Sequence, residues 1–163
     1  MRVLGIDPGL NITGYGLLEQ NDDQIRVLEA GVVRTNSAAP MADRLCEIAR
    51  EIEAIIKQFA PDVLAVEELY SHYGHPKTAI IMGHARGIIF LKAAEARLLV
   101  QPYASTRVKK SLTGNGRASK QQMQLMIRSA LGLSHIPEPA DAADALAVAL
   151  CHCRALSHNE ALV

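Results

Sequence analysis

Cysteine is scarce in this chain. Three residues, Cys46, Cys151 and Cys153, form an odd and sparse set. They exclude a disulfide framework and point to a reducing cytosol. The run Cys151-His152-Cys153 lacks a second ligand pair at a zinc-binding spacing, so it reads as a helix end with incidental cysteines. Long apolar runs are missing too. The longest helix-like apolar stretch, Ala79 to Leu99, is interrupted by His84, Arg86, Lys92, Glu95 and Arg97. That describes a buried helix and not a membrane span. Met1-Arg2-Val3-Leu4-Gly5-Ile6-Asp7 meets an acid after six residues and offers no small-residue cleavage site, so no signal peptide is expected. There is no internal repeat and no low-complexity segment. Net charge is zero, 17 basic against 17 acidic residues, which argues against a uniformly basic nucleic-acid-binding surface. One local absence argues the other way. Asp and Glu do not occur from Arg97 to Pro137, a stretch that holds Arg97, Arg107, Lys109, Lys110, Arg117, Lys120 and Arg128. Such a stretch beside an acidic site suits a polyanionic substrate, although a solvated basic face has the same composition.

With 163 residues, 49% of them hydrophobic and 21% charged, the chain is an ordinary globular sequence. It is long enough for one domain with a sizeable core. Residues 1–157 are expected to form that domain and 158–163 a frayed tail. Residues 2–7, 13–18 and 25–35 read as three strands with short connections, hence an antiparallel meander. Pro40 opens an amphipathic helix whose face is Leu45, Ile48, Ala49, Ile52, Ile55, Ile56 and Phe59. Pro61-Asp62 ends it, and a fourth strand finishes at Glu67. The helix from about Lys77 to Arg97 is apolar nearly all round and is expected to be buried on more than one side. Gly83 and Gly87 would let the sheet or a partner subunit approach it closely. A fifth strand from Leu98 ends near Tyr103. Helices follow at 105–112, 119–132 and about 140–157. The pattern predicts an α/β fold with a mixed sheet, antiparallel across its first three strands and parallel after the helical crossovers.

Four acids stand out from this frame. Asp7 and Glu67 each end an apolar strand, and Asp141 and Asp144 interrupt an alanine-rich helix. Acids in apolar surroundings are costly unless paired. Strands one and four become neighbours through a right-handed crossover, and sites gather at the carboxyl ends of such strands. Asp141 and Asp144, three apart, share one helix face near the positive end of the helix dipole. All four then converge at one sheet edge. A carboxylate set with no dedicated His or Cys ligand favours Mg²⁺ or Mn²⁺, and two such ions form a known clamp for phosphodiester hydrolysis. Each acid alone also has a plainer role: Asp141 as a helix N-cap, Asp7 in a Pro-Gly turn, Glu67 at a strand-end surface, Asp144 near core positions.

The motifs Gly5-Ile6-Asp7-Pro8-Gly9, Thr13-Gly14-Tyr15-Gly16, Ala65-Val66-Glu67-Glu68 and Asp141-Ala142-Ala143-Asp144-Ala145-Leu146-Ala147, in this order, resemble the RuvC family of bacterial Holliday-junction resolvases. The similarity runs from residue 2 to about 153 and includes Gly83-His84-Ala85-Arg86-Gly87 and the run from Arg107 to Lys120. It implies an RNase H-like fold, a five-stranded mixed sheet flanked by helices. It also implies a homodimer that nicks opposing strands of a four-way DNA junction in homologous recombination and DNA repair. By the same resemblance Asp7, Glu67, Asp141 and Asp144 hold two Mg²⁺ or Mn²⁺ ions, and Lys109 and Lys120 contact DNA phosphates. Arg107, Lys110 and Arg117 lie in the same DNA-binding run, and Tyr70 stacks on junction bases. A RuvA-RuvB branch-migration motor is the implied partner and the cytoplasm the implied location. The loop near His75-Pro76 departs from the family in lacking an asparagine, with His72, Tyr73 and His75 as substitute DNA contacts. Two other readings stand beside this one. Gly5-Ile6-Asp7-Pro8-Gly9 with Thr13-Gly14 is similar to the first phosphate loop of actin-like and sugar-kinase ATPases, but no second Asp-x-Gly loop follows. A non-catalytic junction-binding module or a related nuclease acting on other DNA or RNA is the second.

Overall fold

The computed structural model describes residues 1–22, 24–69 and 76–160. Strands β1 (Arg2–Asp7), β2 (Ile12–Asn21) and β3 (Gln24–Arg34) come first. Helix α1 (Met41–Phe59), strand β4 (Val63–Glu67), helix α2 (Pro76–Glu95) and strand β5 (Leu99–Tyr103) follow. Helices α3 (Ser105–Thr113), α4 (Lys120–Ala130) and α5 (Ala140–Glu160) close the chain. The sheet order is β3-β2-β1-β4-β5. β1, β2 and β3 pair antiparallel, whereas β4 joins β1, and β5 joins β4, in parallel. The expected mixed sheet is therefore present, with β1 as the strand where antiparallel pairing gives way to parallel.

The period-two alternation of side chains along each strand divides the core in two. Leu4, Ile6, Leu17, Leu64 and Val66 face α1 and α2, where they meet Ile48, Ile52, Ile56 and Ile89. Val3, Leu18 and Ala65 face the other way, onto α5. Asp7 follows Val3 and Gly5 on that second face, and Glu67 follows Ala65. Helices α3 and α4 cover the outside of α5 with Val108, Leu112, Met123 and Ile127, so α5 is buried nearly all round from Ala142 to Cys153.

Small residues let α5 rest on the sheet backbone. A Cβ added at Gly5 would stand 2.1 Å from the carbonyl oxygen of Ala145, and one at Gly14 would stand 2.0 Å from that of Asp141. Ala145 and Ala149 of α5 meet Gly5, and Asp141 and Leu146 meet Gly14 and Gly16, which places the first turns of the helix beside the end of β1.

Three expectations shift. β2 is longer than expected, Ile12 to Asn21 in place of 13–18, because the hairpin stays paired out to Asn21 and Gln24, with Asp22 in the left-handed region at φ 50. α5 runs to Glu160, beyond 157, and 161–163 lie outside the described residues. α2 is not buried on more than one side. Ala85, Ile89 and Ala93 reach the core, but Ile80 is 63% and Leu91 51% exposed. Cβ atoms at Gly83 and Gly87 would meet nothing within 4 Å. The physical reason is layering: α2 packs on α1 and β5, and among the described residues no third layer covers its outer face.

Gly5→Ala should force α5 off the sheet, since its new methyl meets backbone atoms that cannot swing aside. Overpacking of this kind costs about 3 kcal/mol, a fall in Tm of roughly 6–10 °C at this chain length. Thermal denaturation followed by circular dichroism checks it, and an unchanged Tm contradicts the close packing.

Candidate active site

β1 and β4 are neighbouring parallel strands with Ile6 opposite Val66. Their final residues, Asp7 and Glu67, therefore end side by side on the α5 face. The loop after Asp7 is held from within and from behind. The Thr13 hydroxyl donates to Gly9 O at 2.6 Å. Buried Arg44, at the start of α1, donates from Nε to Thr35 Oγ1 at 3.0 Å and reaches the Asn11 side-chain oxygen with its guanidinium. A buried cation bonded to both Thr35 and Asn11 leaves the loop after the strand little freedom.

α5 brings the other two acids. Ala142 donates its N–H to Pro139 O at 3.0 Å, so Asp141 lies inside the first turn and is not the helix cap. Asp144 lies a turn further along the same face. Asp7 responds to both. Burial lifts its carboxyl from 3.8 to about 7, with Asp144, Glu67 and Asp141 adding repulsion and Lys120 opposing it. Glu67 is also pushed up by burial and by Asp144, against a hydrogen bond from Ser105 and the charge of Lys109.

Two lysines complete the cleft. Lys120 Nζ donates to Asp144 Oδ2 at 3.0 Å. It is the first residue of α4, whose start is set by a capping box: Gln122 N–H to Ser119 Oγ at 3.2 Å and Ser119 N–H to Gln122 Oε1 at 2.8 Å. Lys109 stands on α3, which Gly114 ends at φ 76. Glu67, Asp144, Ser105, Lys109 and Lys120 line a cavity of about 200 Å³. Among the described residues, no three His, Cys, Asp or Glu side chains stand close enough together to grip one ion as they are. The donor set nevertheless fits a hard divalent cation: carboxylates that repel one another, with an ammonium standing in for the missing positive charge.

The other basic residues are more dispersed. Arg107 is exposed and lies over the Tyr103 ring at 5.1 Å. Lys110 and Arg117 are exposed on α3 and on the loop after it, outside the cavity lining. Tyr70, His72, Tyr73 and His75 lie outside the described residues. The Cys151-His152-Cys153 run is buried. His152 shares a 2.8 Å hydrogen bond with the Tyr103 hydroxyl, and burial raises the Cys153 thiol to about 11. A buried thiol held protonated is a core group rather than a metal ligand. Ser105 escaped the sequence reading. Its only signal there is a place four residues before Lys109 at a helix start.

The sheet order and an acidic cleft at the carboxyl ends of its central strands define an RNase H-like nuclease domain. The profile of the family described as Crossover junction endodeoxyribonuclease RuvC matches residues 3–152. A protein of that name from Rhodopirellula baltica is 48% identical over 149 residues, 91% of this chain and 84% of the relative. Another, from Caldicellulosiruptor saccharolyticus, is 48% identical over 153 residues, 93% and 92% of the two chains. The structure of Thermus thermophilus RuvC in complex with Holliday junction substrate matches with a TM-score of 0.92 at 34% identity, covering 98% of this chain and 96% of that one. The chain belongs to the RuvC family and is an endodeoxyribonuclease.

A carboxyl lifted from 3.8 to about 7 weakens the fold as it ionises. Stability is intact below the unfolded value and is lost as pH rises toward the folded one, by at most about 4 kcal/mol at neutral pH. Asp7→Asn should therefore be more stable than the parent without metal, with a gap that widens between pH 4 and 7. Tm measured across that range in chelator checks it, and a variant destabilised throughout contradicts the crowding of charge.

Proposed function

We propose that this chain resolves four-way DNA junctions in homologous recombination and repair, by hydrolysing phosphodiester bonds at the cleft between β1, β4 and α5. The observation that carries this reading is the meeting of Glu67 and Asp144 with Lys109 and Lys120 in one small cavity, near enough to Asp7 and Asp141 for the acids to repel one another. Those four acids hold Mg²⁺ or Mn²⁺, two ions per site, with Asp7 reaching both because Glu67 and the α5 acids flank it. Bound there, the ions lower the pKa of an attacking water and stabilise the leaving oxygen. Lys120, paired with Asp144 in the absence of metal, is freed for a phosphate once that charge is met; Lys109 sits ready beside Glu67. Arg107, Lys110 and Arg117 supply exposed charge for more distant phosphates. Tyr70, three residues after Glu67, stacks on bases exposed at the junction centre.

Paired cuts on opposing strands call for two copies. The outer face of α2, with exposed Ile80 and Leu91 and open space at Gly83 and Gly87, supports a homodimer through that helix. Among the described residues no helix is long and apolar enough to cross a membrane. The cytoplasm, where the chromosome lies, is the proposed place of action, with RuvA-RuvB delivering the junction.

A synthetic four-way junction, a matched duplex and a forked DNA, each with and without Mg²⁺, test the activity. Cutting should be confined to the junction and to the metal-containing lanes; equal cutting of the duplex overturns junction selectivity. Asp7→Asn should bind the junction and leave it intact, and undiminished cleavage by that variant sinks the carboxylate site. Sedimentation should give about twice the 17.6 kDa chain mass for the parent, and a monomer when Ile80 and Leu91 are both changed to Asp. A parent that sediments as a monomer rules out paired cutting by a stable dimer.

A further inference from the structure

Glu67 is held differently from the other acids. Its neighbour Glu68 donates its N–H to the Tyr103 carbonyl at 2.9 Å, which keeps β4 and β5 together past the end of the ladder. Tyr103 is 3% exposed. Its hydroxyl shares the 2.8 Å hydrogen bond with His152 of α5, a residue that is itself 4% exposed. The last residue of β5 is thus fastened both to the strand that carries Glu67 and to the helix that carries Asp144. Two residues later Ser105 begins α3. The cap position before it is Ala104, which supplies no side-chain cap. The Ser105 side chain instead faces the same small cavity as Glu67, where its hydroxyl favours the ionised carboxylate. Lys109, four residues on and so on the same helix face, is the other α3 group that acts on Glu67.

We infer that Ser105 is the positioning residue for Glu67: its hydroxyl fixes one carboxylate oxygen on an anchored backbone and leaves the other oxygen for a cation. This rests on the carboxylate site proposed above and adds a residue to it. Lys109 cannot do the same work. Its long side chain turns to any phosphate that enters, whereas the serine is short, neutral and tied to a backbone braced by Tyr103. Hydrogen bonds to ligating carboxylates are the kind of outer contact that sets metal affinity.

The test uses the full chain, titrated with Mn²⁺ without DNA and followed by thermal shift, together with junction cleavage. Ser105→Ala should need about ten-fold more Mn²⁺ for half its shift and should lose kcat with KM for the junction unchanged. Its metal-free Tm should stay near that of the parent. Ser105→Thr, which keeps the hydroxyl, should restore the Mn²⁺ midpoint. Glu67→Gln should lose most of the shift. A parental midpoint in Ser105→Ala, alongside a lost shift in Glu67→Gln, overturns the role of the serine alone. A full shift in Glu67→Gln overturns the carboxylate site and the serine with it.

Discussion

The contact on which everything else depends is that of α5 with the bare backbone of β1 and β2. Sheets and helices usually meet through interleaved side chains. Here Gly5 and Gly14 offer none, and the carbonyls of Ala145 and Asp141 occupy the space a methyl would take. Only at that distance do acids from a helix reach acids from strand ends. Had ordinary side chains stood there, Asp141 and Asp144 would be held further from Asp7 and their mutual repulsion would fade. The close seating therefore creates the electrostatic problem as well as the site. It accounts for an Asp7 carboxyl raised to about 7 and for a lysine from a separate helix bound to Asp144.

That lysine explains how the resting protein tolerates its own cleft. An isolated ion pair as exposed as Lys120 and Asp144 contributes little to stability. Its value is local: it balances one of several repelling carboxylates without entering the core.

Much of this was legible in the sequence. β1 was readable residue for residue and β4 to its last residue, because both are central strands with apolar side chains on both faces. The convergence of Asp7 and Glu67 followed from the crossover rule. What the sequence could not convey was the outer environment of each element. The apolar residues of α2 imply burial by composition, yet Ile80 and Leu91 lie open, since burial depends on how many layers the chain can supply. Asp141 could be read as a first-turn residue or as a helix cap, and the bond from Ala142 to Pro139 decides for the first turn. Lys109 and Lys120 are no more basic in sequence than Lys110 or Arg117. Their distinction comes from which face of α3 they occupy, or from which helix turn they start. Ser105 carried no chemical signal at all until Glu67 stood beside it.

The sheet also insulates. Its two faces carry separate cores, one beneath α1 and α2 and one beneath α5, and all four acids belong to the second. The outer surface of α2 is separated from the carboxylates by the whole thickness of the sheet. A chain organised in this way can drift in its associations while its chemistry stays fixed: one layer is free to explore, and the other holds still.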